Sequence, residues 1–231
     1  MFVLLHSPLV GPSTWHPVAE ELRRAGRRAV VPSLGVAAAA PPYWPAAVDA
    51  AGAAAGRVGA GAGETDVVVV AHSNAGLLTP AVVARLGELG HTVRACVLVD
   101  AALPGRAGAV ALAAPDLLAL LERKAEGGLL PRWTEWWDPA TVAELLPEEG
   151  LRRRIIEDQP RLPLDYFRQE VPVPAGWDQR QCAYLWFGPP YDREAARAGA
   201  LGWPVRRLPG GHLHALVDPV GVAGAVLELS A

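Results

Sequence analysis

The run Val67-Val68-Val69-Val70-Ala71-His72-Ser73-Asn74-Ala75-Gly76 constrains this chain more than any other stretch. Four consecutive valines bounded by turn residues leave no polar face, so Asp66–Ala71 reads as a strand buried on both sides. Such strands belong to parallel sheets covered by helices on either face. The strand runs into small-x-Ser-x-small, with Ala71 and Ala75 two residues either side of Ser73, and a helix is expected over Ala75–Leu89. A serine on so sharp a strand-to-helix turn needs small neighbours, because its own dihedrals are strained. The turn also has a chemical use. The amides at the start of the helix, Asn74's among them, point toward any anion that forms beside the serine hydroxyl.

The alternation of strands and helices continues along most of the chain. Strands are expected at Phe2–His6, Arg28–Pro32, Val93–Asp100, Cys182–Phe187 and Val205–Leu208, and helices at Trp15–Ala25, Pro45–Arg57 and Asp218–Leu229. Gly59–Gly63 reads as a flexible connector. Between Ala101 and Trp177 the alternation stops. Helical patterns at Pro115–Glu126, Trp133–Trp137, Pro139–Leu146, Leu151–Asp158 and Leu164–Glu170 have no convincing strand among them. The fold class is therefore α/β, a mostly parallel sheet of about six strands flanked by helices. A helical cap over 102–177 is expected after the Val93–Asp100 strand, on a core of 1–101 and 178–231.

Composition narrows the function classes. At 231 residues, 51% hydrophobic and 19% charged, the chain has the makings of a sizeable core and is not a disordered segment. A formal net charge of -3 gives no basic face for nucleic acid, so no nucleic-acid partner is expected. The Ala-rich stretch after Leu34 is broken by Pro41, Pro42 and Pro45, so no membrane span is expected. No basic leader precedes the first strand, and Cys96 and Cys182 lie in apolar strand-like runs. Both read as reduced, with a cytoplasmic location as the expectation. The histidines form no H-x-x-x-H pair, the cysteines have no partners at ligand spacing, and no Gly-x-Gly-x-x-Gly follows a strand. Neither a metal nor a nucleotide cofactor is expected.

A second chemical segment is Leu208-Pro209-Gly210-Gly211-His212-Leu213-His214, between the last strand and the last helix. A histidine in a Gly-rich loop at a strand's carboxyl end has the freedom to reach a serine on a neighbouring strand and act as its base. His212 is preferred to His214 because Gly210-Gly211 immediately precede it. The acid that would orient the imidazole is either Asp100, at the end of its strand, or Asp192, in Gly188-Pro189-Pro190-Tyr191-Asp192.

These segments together resemble the α/β-hydrolase superfamily. His6-Ser7-Pro8 with Trp15 looks like its oxyanion loop, Ala71-His72-Ser73-Asn74-Ala75 like its nucleophile elbow, and Gly211-His212 with Pro219 like its histidine loop. In size, and in lacking an amino-terminal hairpin, the chain is similar to the small methylesterase and hydroxynitrile lyase branch. The resemblance implies a catalytic Ser73, His212 and Asp100 (or Asp192), with the site at the carboxyl ends of the strands. It also implies a second oxyanion donor from the position of Pro8, which has no N–H. The amide of Leu9 or the hydroxyl of Ser7 must then join the amide of Asn74.

The expected pocket is lined by His6, Pro8, Trp133, Trp137 and Tyr166, and it favours a small substrate with an apolar acyl or aromatic group. Three functions follow from the resemblance. The first is a serine hydrolase acting on a carboxylic ester, lactone or thioester. The second is a lyase or cyclase that reuses the same residues, and the third is a ligand-binding relative with little turnover. The oligomeric state is not legible in the sequence.

Overall fold

A computed structural model describes residues 1–59 and 65–231. The connector expected at Gly59–Gly63 falls almost wholly outside the described residues. In chain order the elements are β1 (Phe2–Leu5), α1 (His16–Arg24), β2 (Ala29–Val30), α2 (Trp44–Gly59), β3 (Asp66–Ser73), α3 (Thr79–Glu88) and β4 (Thr92–Ala101). There follow β5 (Gly108–Ala111), α4 (Pro115–Lys124), α5 (Pro139–Leu145), α6 (Glu149–Asp158) and β6 (Glu170–Val173). The chain closes with β7 (Gln181–Trp186), α7 (Asp192–Ala200), β8 (Val205–Arg207), α8 (His214–Val217) and α9 (Pro219–Leu229).

Six strands form one sheet in the order β2-β1-β3-β4-β7-β8, and every pairing in it is parallel. The side-chain period of two divides each central strand between two cores. Val3, Leu5, Val67, Val69, Ala71, Cys96 and Leu98 face the layer that holds α2 and α3. Phe2, Leu4, Val70, Val97 and Val99 face the layer of Trp15, Val18 and Leu22 with Val222 and Val226 of α9. The valine run is thus buried on both sides because each side has its own helical cover. A one-residue slip of β3 would exchange the two sets, so the register of the strand that carries Ser73 is held from both faces.

The segment between β4 and β7 differs from the helical reading. It holds α4, α5 and α6, but also an antiparallel ladder in which Gly108 to Ala111 of β5 pair with Val173 to Glu170 of β6. Pro172 sits inside β6, and a proline argues against a strand except where its missing N–H faces away from the ladder, as an edge allows. Of the helix expected over Leu164–Glu170, only a 3-10 turn at Leu164–Tyr166 forms, and Glu170 already belongs to β6. Trp133–Trp136 is likewise a 3-10 turn. The helix after Ser73 begins as a 3-10 turn, Asn74–Leu78, before α3 takes over.

Candidate active site

Ser73 ends β3 with φ 59° and ψ -131°, a left-handed backbone that a residue with a Cβ rarely adopts. Strain of this kind survives only where the surroundings over-determine it. Gly76 shows how tight the elbow is, since a Cβ there would lie 2.1 Å from the carbonyl oxygen of Ala102. The strained turn lifts the Ser73 hydroxyl out of the sheet at the carboxyl end of β3. There the chain connections diverge and open α/β sheets hold their ligands.

Three side chains meet at that point. The Nε2 of His212 lies 3.0 Å from Ser73 Oγ, and its Nδ1 lies 2.7 Å from Asp100 Oδ2. A carboxylate only accepts, so Nδ1 carries the proton and Nε2 offers its lone pair to the serine hydroxyl. Asp100 is fully buried, and its other oxygen accepts the backbone N–H of Phe187 at 3.1 Å. Its backbone is also left-handed, with φ 43°. Tyr184 braces the next residue, donating its hydroxyl to the carbonyl of Ala101 at 2.7 Å and accepting the Ala101 amide at 2.9 Å. Asp192 does not join this group. It is exposed and opens α7, where its charge suits the first turn of a helix. His214 packs edge-on against Phe187.

Two further histidines stand behind the site. His72 donates from Nε2 to the backbone carbonyl of His212 at 2.9 Å, with its ring 4.5 Å from the His212 ring. Burial holds its pKa well below the usual histidine range, and the neighbouring His212 lowers it further. A neutral His72 puts no like charge beside an imidazolium at His212. His6 is also buried and its pKa is pushed down to about 4, chiefly by desolvation. Its Nδ1 donates to the carbonyl of Ser7 at 2.8 Å.

The loop after β1 is fixed from several sides. Trp15 Nε1 donates to the carbonyl of Leu5 at 3.0 Å, and the carbonyl of Ser7 also accepts the amides of Val10 and Gly11. Leu9 directs its amide toward Ser7 Oγ over a long 3.4 Å, and Ser7 itself is buried. Asn74 stands at the N-terminus of its 3-10 turn, where the first amides have no intrahelical partner. Its side chain is bolted in place, Oδ1 accepting the Tyr166 hydroxyl at 2.9 Å and Nδ2 donating to the carbonyl of Leu112 at 2.8 Å.

That contact gives Tyr166 a structural part beside the pocket role expected of it. The residue is fully buried and spends its hydroxyl on Asn74, so it braces the elbow. Trp133 is buried with its ring 6.3 Å from the His212 ring, and Trp137 meets Trp133 edge-on while remaining 46% exposed. His6 and Pro8 line a cavity of about 190 Å³ together with Leu34, Val36 and Asp158. Sequence reasoning missed Tyr191, whose hydroxyl lies 3.3 Å from Ser73 Oγ and whose ring stacks on that of His212 at 5.1 Å. Its place next to Asp192, on the loop after a sheet strand, was the available signal. Among the described residues no group of three or more His, Cys, Asp or Glu could hold a metal ion.

The model of the alpha/beta hydrolase family matches residues 2–225. The chain belongs to that family. Among solved structures it is similar to an extracellular alpha/beta-hydrolase from a Paenibacillus species, at 16% identity over 99% of this chain and 98% of that one, with a TM-score of 0.70. It is also similar to polyneuridine aldehyde esterase, at 15% identity over 100% and 98% of the two chains with a TM-score of 0.68. A methylesterase from Arabidopsis gives 12% identity over 98% and 97%, with a TM-score of 0.67. No curated protein matches the sequence. At these identities the structural likeness speaks for the fold, which agrees with the family's. Among the described residues no helix is long and apolar enough to cross a membrane.

Proposed function

We propose that this hydrolase cleaves a small carboxylic ester, lactone or thioester through a Ser73–His212–Asp100 triad. The observation that carries the reading is the hydrogen-bonded line from Asp100 Oδ2 through both nitrogens of His212 to a strained Ser73. Ser73 Oγ attacks the acyl carbon and gives its proton to His212 Nε2. Asp100 holds the tautomer that makes this transfer feasible and stabilises the imidazolium that results. The amide of Asn74 and that of Leu9 donate to the oxyanion, the Leu9 contact to Ser7 Oγ being long enough to yield. His212 then protonates the leaving group, and water hydrolyses the acyl-enzyme with His212 again as base.

The segment 102–177 serves as a cap over a core of 1–101 and 178–231, with Trp133 and Trp137 at the rim of the site. We assign the acyl group to the cavity that Pro8 lines with Leu34 and Val36, whose side chains favour an apolar or aromatic acyl group. Methyl-ester and related substrates are the first to try, given the esterases among the structural neighbours. The buried Cys96 and Cys182, which are not joined in a disulfide, suit a reducing, cytoplasmic setting. A lyase or cyclase reading has one observation in its favour. Pro8 has no N–H, and a reaction without a tetrahedral oxyanion would need one donor fewer.

Intact mass after incubation with a fluorophosphonate, beside Ser73→Ala, tests the reading. One adduct on the parent protein and none on the variant is the expected result. Absence of the adduct from folded parent protein would refute an activated Ser73.

A further inference from the structure

Tyr191 is a polar side chain at the nucleophile that the triad leaves without a task. Its hydroxyl lies 3.3 Å from Ser73 Oγ and its ring stacks on His212 with centroids 5.1 Å apart and planes 18° apart. Proton counting assigns the direction of the first contact. The single proton of Ser73 points to His212 Nε2, so the Tyr191 hydroxyl must donate to Ser73 Oγ. The donor thus shares Ser73 Oγ with His212 Nε2, and a leaving group bound to the carbon that Oγ attacks must come to that same place to collect its proton from Nε2.

We propose that Tyr191 is a further catalytic group, which holds Ser73 Oγ in the resting enzyme and hydrogen-bonds the leaving-group oxygen during acylation. This rests on the ester-hydrolysis reading of the same site. The sequence of bonds balances without a new reactant. Oγ forms its bond to the acyl carbon as its proton passes to His212 Nε2. The lone pair that held Tyr191 is drawn into that bond, and the phenol turns to the oxygen of the scissile bond. That bond breaks, the departing oxygen takes the proton from His212, and Tyr191 keeps its own. Burial pushes the Tyr191 hydroxyl up to about 12, so it stays a donor across neutral pH.

A donor to the leaving group matters in proportion to how badly that group leaves. The discriminating experiment therefore compares two esters of one acid, p-nitrophenyl butyrate and ethyl butyrate, on wild type and Tyr191→Phe. The quantity is kcat/KM, which reports acylation. Phe keeps the ring on His212 and removes only the hydroxyl. The expected loss is about a hundredfold for the ethyl ester and under about fivefold for the p-nitrophenyl ester, whose phenolate needs no help. Both numbers come from one preparation, so their ratio is indifferent to the fraction of variant that folds. Equal losses on the two esters, or none, would overturn the assignment of Tyr191 and leave the triad standing. A wild type that cleaves neither ester and takes no fluorophosphonate would overturn the triad reading, and the Tyr191 assignment with it.

Discussion

Replacing Asp100 by Asn tests the geometry of the site most severely, because the change is nearly isosteric and its consequence follows from hydrogen-bond bookkeeping. In the wild type, Oδ1 of Asp100 accepts the N–H of Phe187 and Oδ2 accepts Nδ1–H of His212. An asparagine offers one acceptor and one donor for those two places. If its oxygen stays on Phe187, its NH₂ faces His212, which must then present a bare Nδ1 and carry its proton on Nε2. That tautomer cannot take the proton of Ser73. If the amide flips, the buried N–H of Phe187 faces another donor, at about 1–3 kcal/mol for the unsatisfied group. The flipped, productive form is then about a sixth to about 1/160 of the population. Loss of the carboxylate charge, fully buried beside the imidazolium, reduces its rate further. The combined expectation for Asp100→Asn is a loss of about 10³–10⁴ in kcat/KM on p-nitrophenyl butyrate, with little change in melting temperature. Asp192→Asn, at the exposed start of α7, should remain within about twofold of wild type. An Asp100→Asn enzyme keeping a tenth of its activity, or an Asp192→Asn enzyme losing a hundredfold, would refute the assignment of the acid.

Tyr166→Phe should destabilise the protein by about 1–3 kcal/mol, because Asn74 Oδ1 loses its buried donor, and should lower kcat more than it raises KM. Urea titration and steady-state rates check this, and an unchanged midpoint would refute the brace. His6 makes stability depend on pH. Its pKa falls from 6.5 to about 4 on folding, so between those values the unfolded chain binds a proton that the folded one does not. Stability is therefore lost as pH drops from 6.5 toward 4, by about 3 kcal/mol from this group, with His72 adding in the same direction. His6→Asn, which keeps a donor for the Ser7 carbonyl, should flatten the curve of stability against pH over that window. Denaturant melts at several pH values decide it, and an unaltered slope would show that His6 is not the source.

What was legible in the sequence is what local chemistry dictates. The valine run needed cover on both faces, the small residues around Ser73 needed a sharp turn, and Gly210-Gly211 marked a loop that brings His212 to the site. The choice between Asp100 and Asp192 was not local. It depends on β4 lying beside β3, which brings the carboxylate of Asp100 under the returning loop, while Asp192 turns outward with its helix. The bond from Tyr166 to Asn74 was not legible, because an aromatic side chain carries no sequence mark of what its hydroxyl meets. β5 and β6 escaped notice because four-residue edge strands of Gly-Ala-Val-Ala and Glu-Val-Pro-Val carry almost no periodic signal.

The inserted segment between β4 and β7 and the turn at Ser73 are therefore held together. The side chain of Asn74, next to Ser73, is anchored twice in the inserted segment, to Leu112 just after β5 and to Tyr166 before β6. The two strands of that ladder are the framework on which both anchors rest, since Leu112 also donates its amide to the carbonyl of Gln169. An inserted segment built only of helices would lack that rigid frame. In the proposed mechanism, with Pro8 unable to donate from the opposite side, the orientation of the Asn74 amide carries more of the oxyanion's stabilisation than it would beside two fixed amides. A displacement of a few tenths of an ångström in the inserted segment would thus register at the reacting carbon through Asn74. Loss of Tyr166, more than 90 residues away in sequence, should accordingly show in kcat.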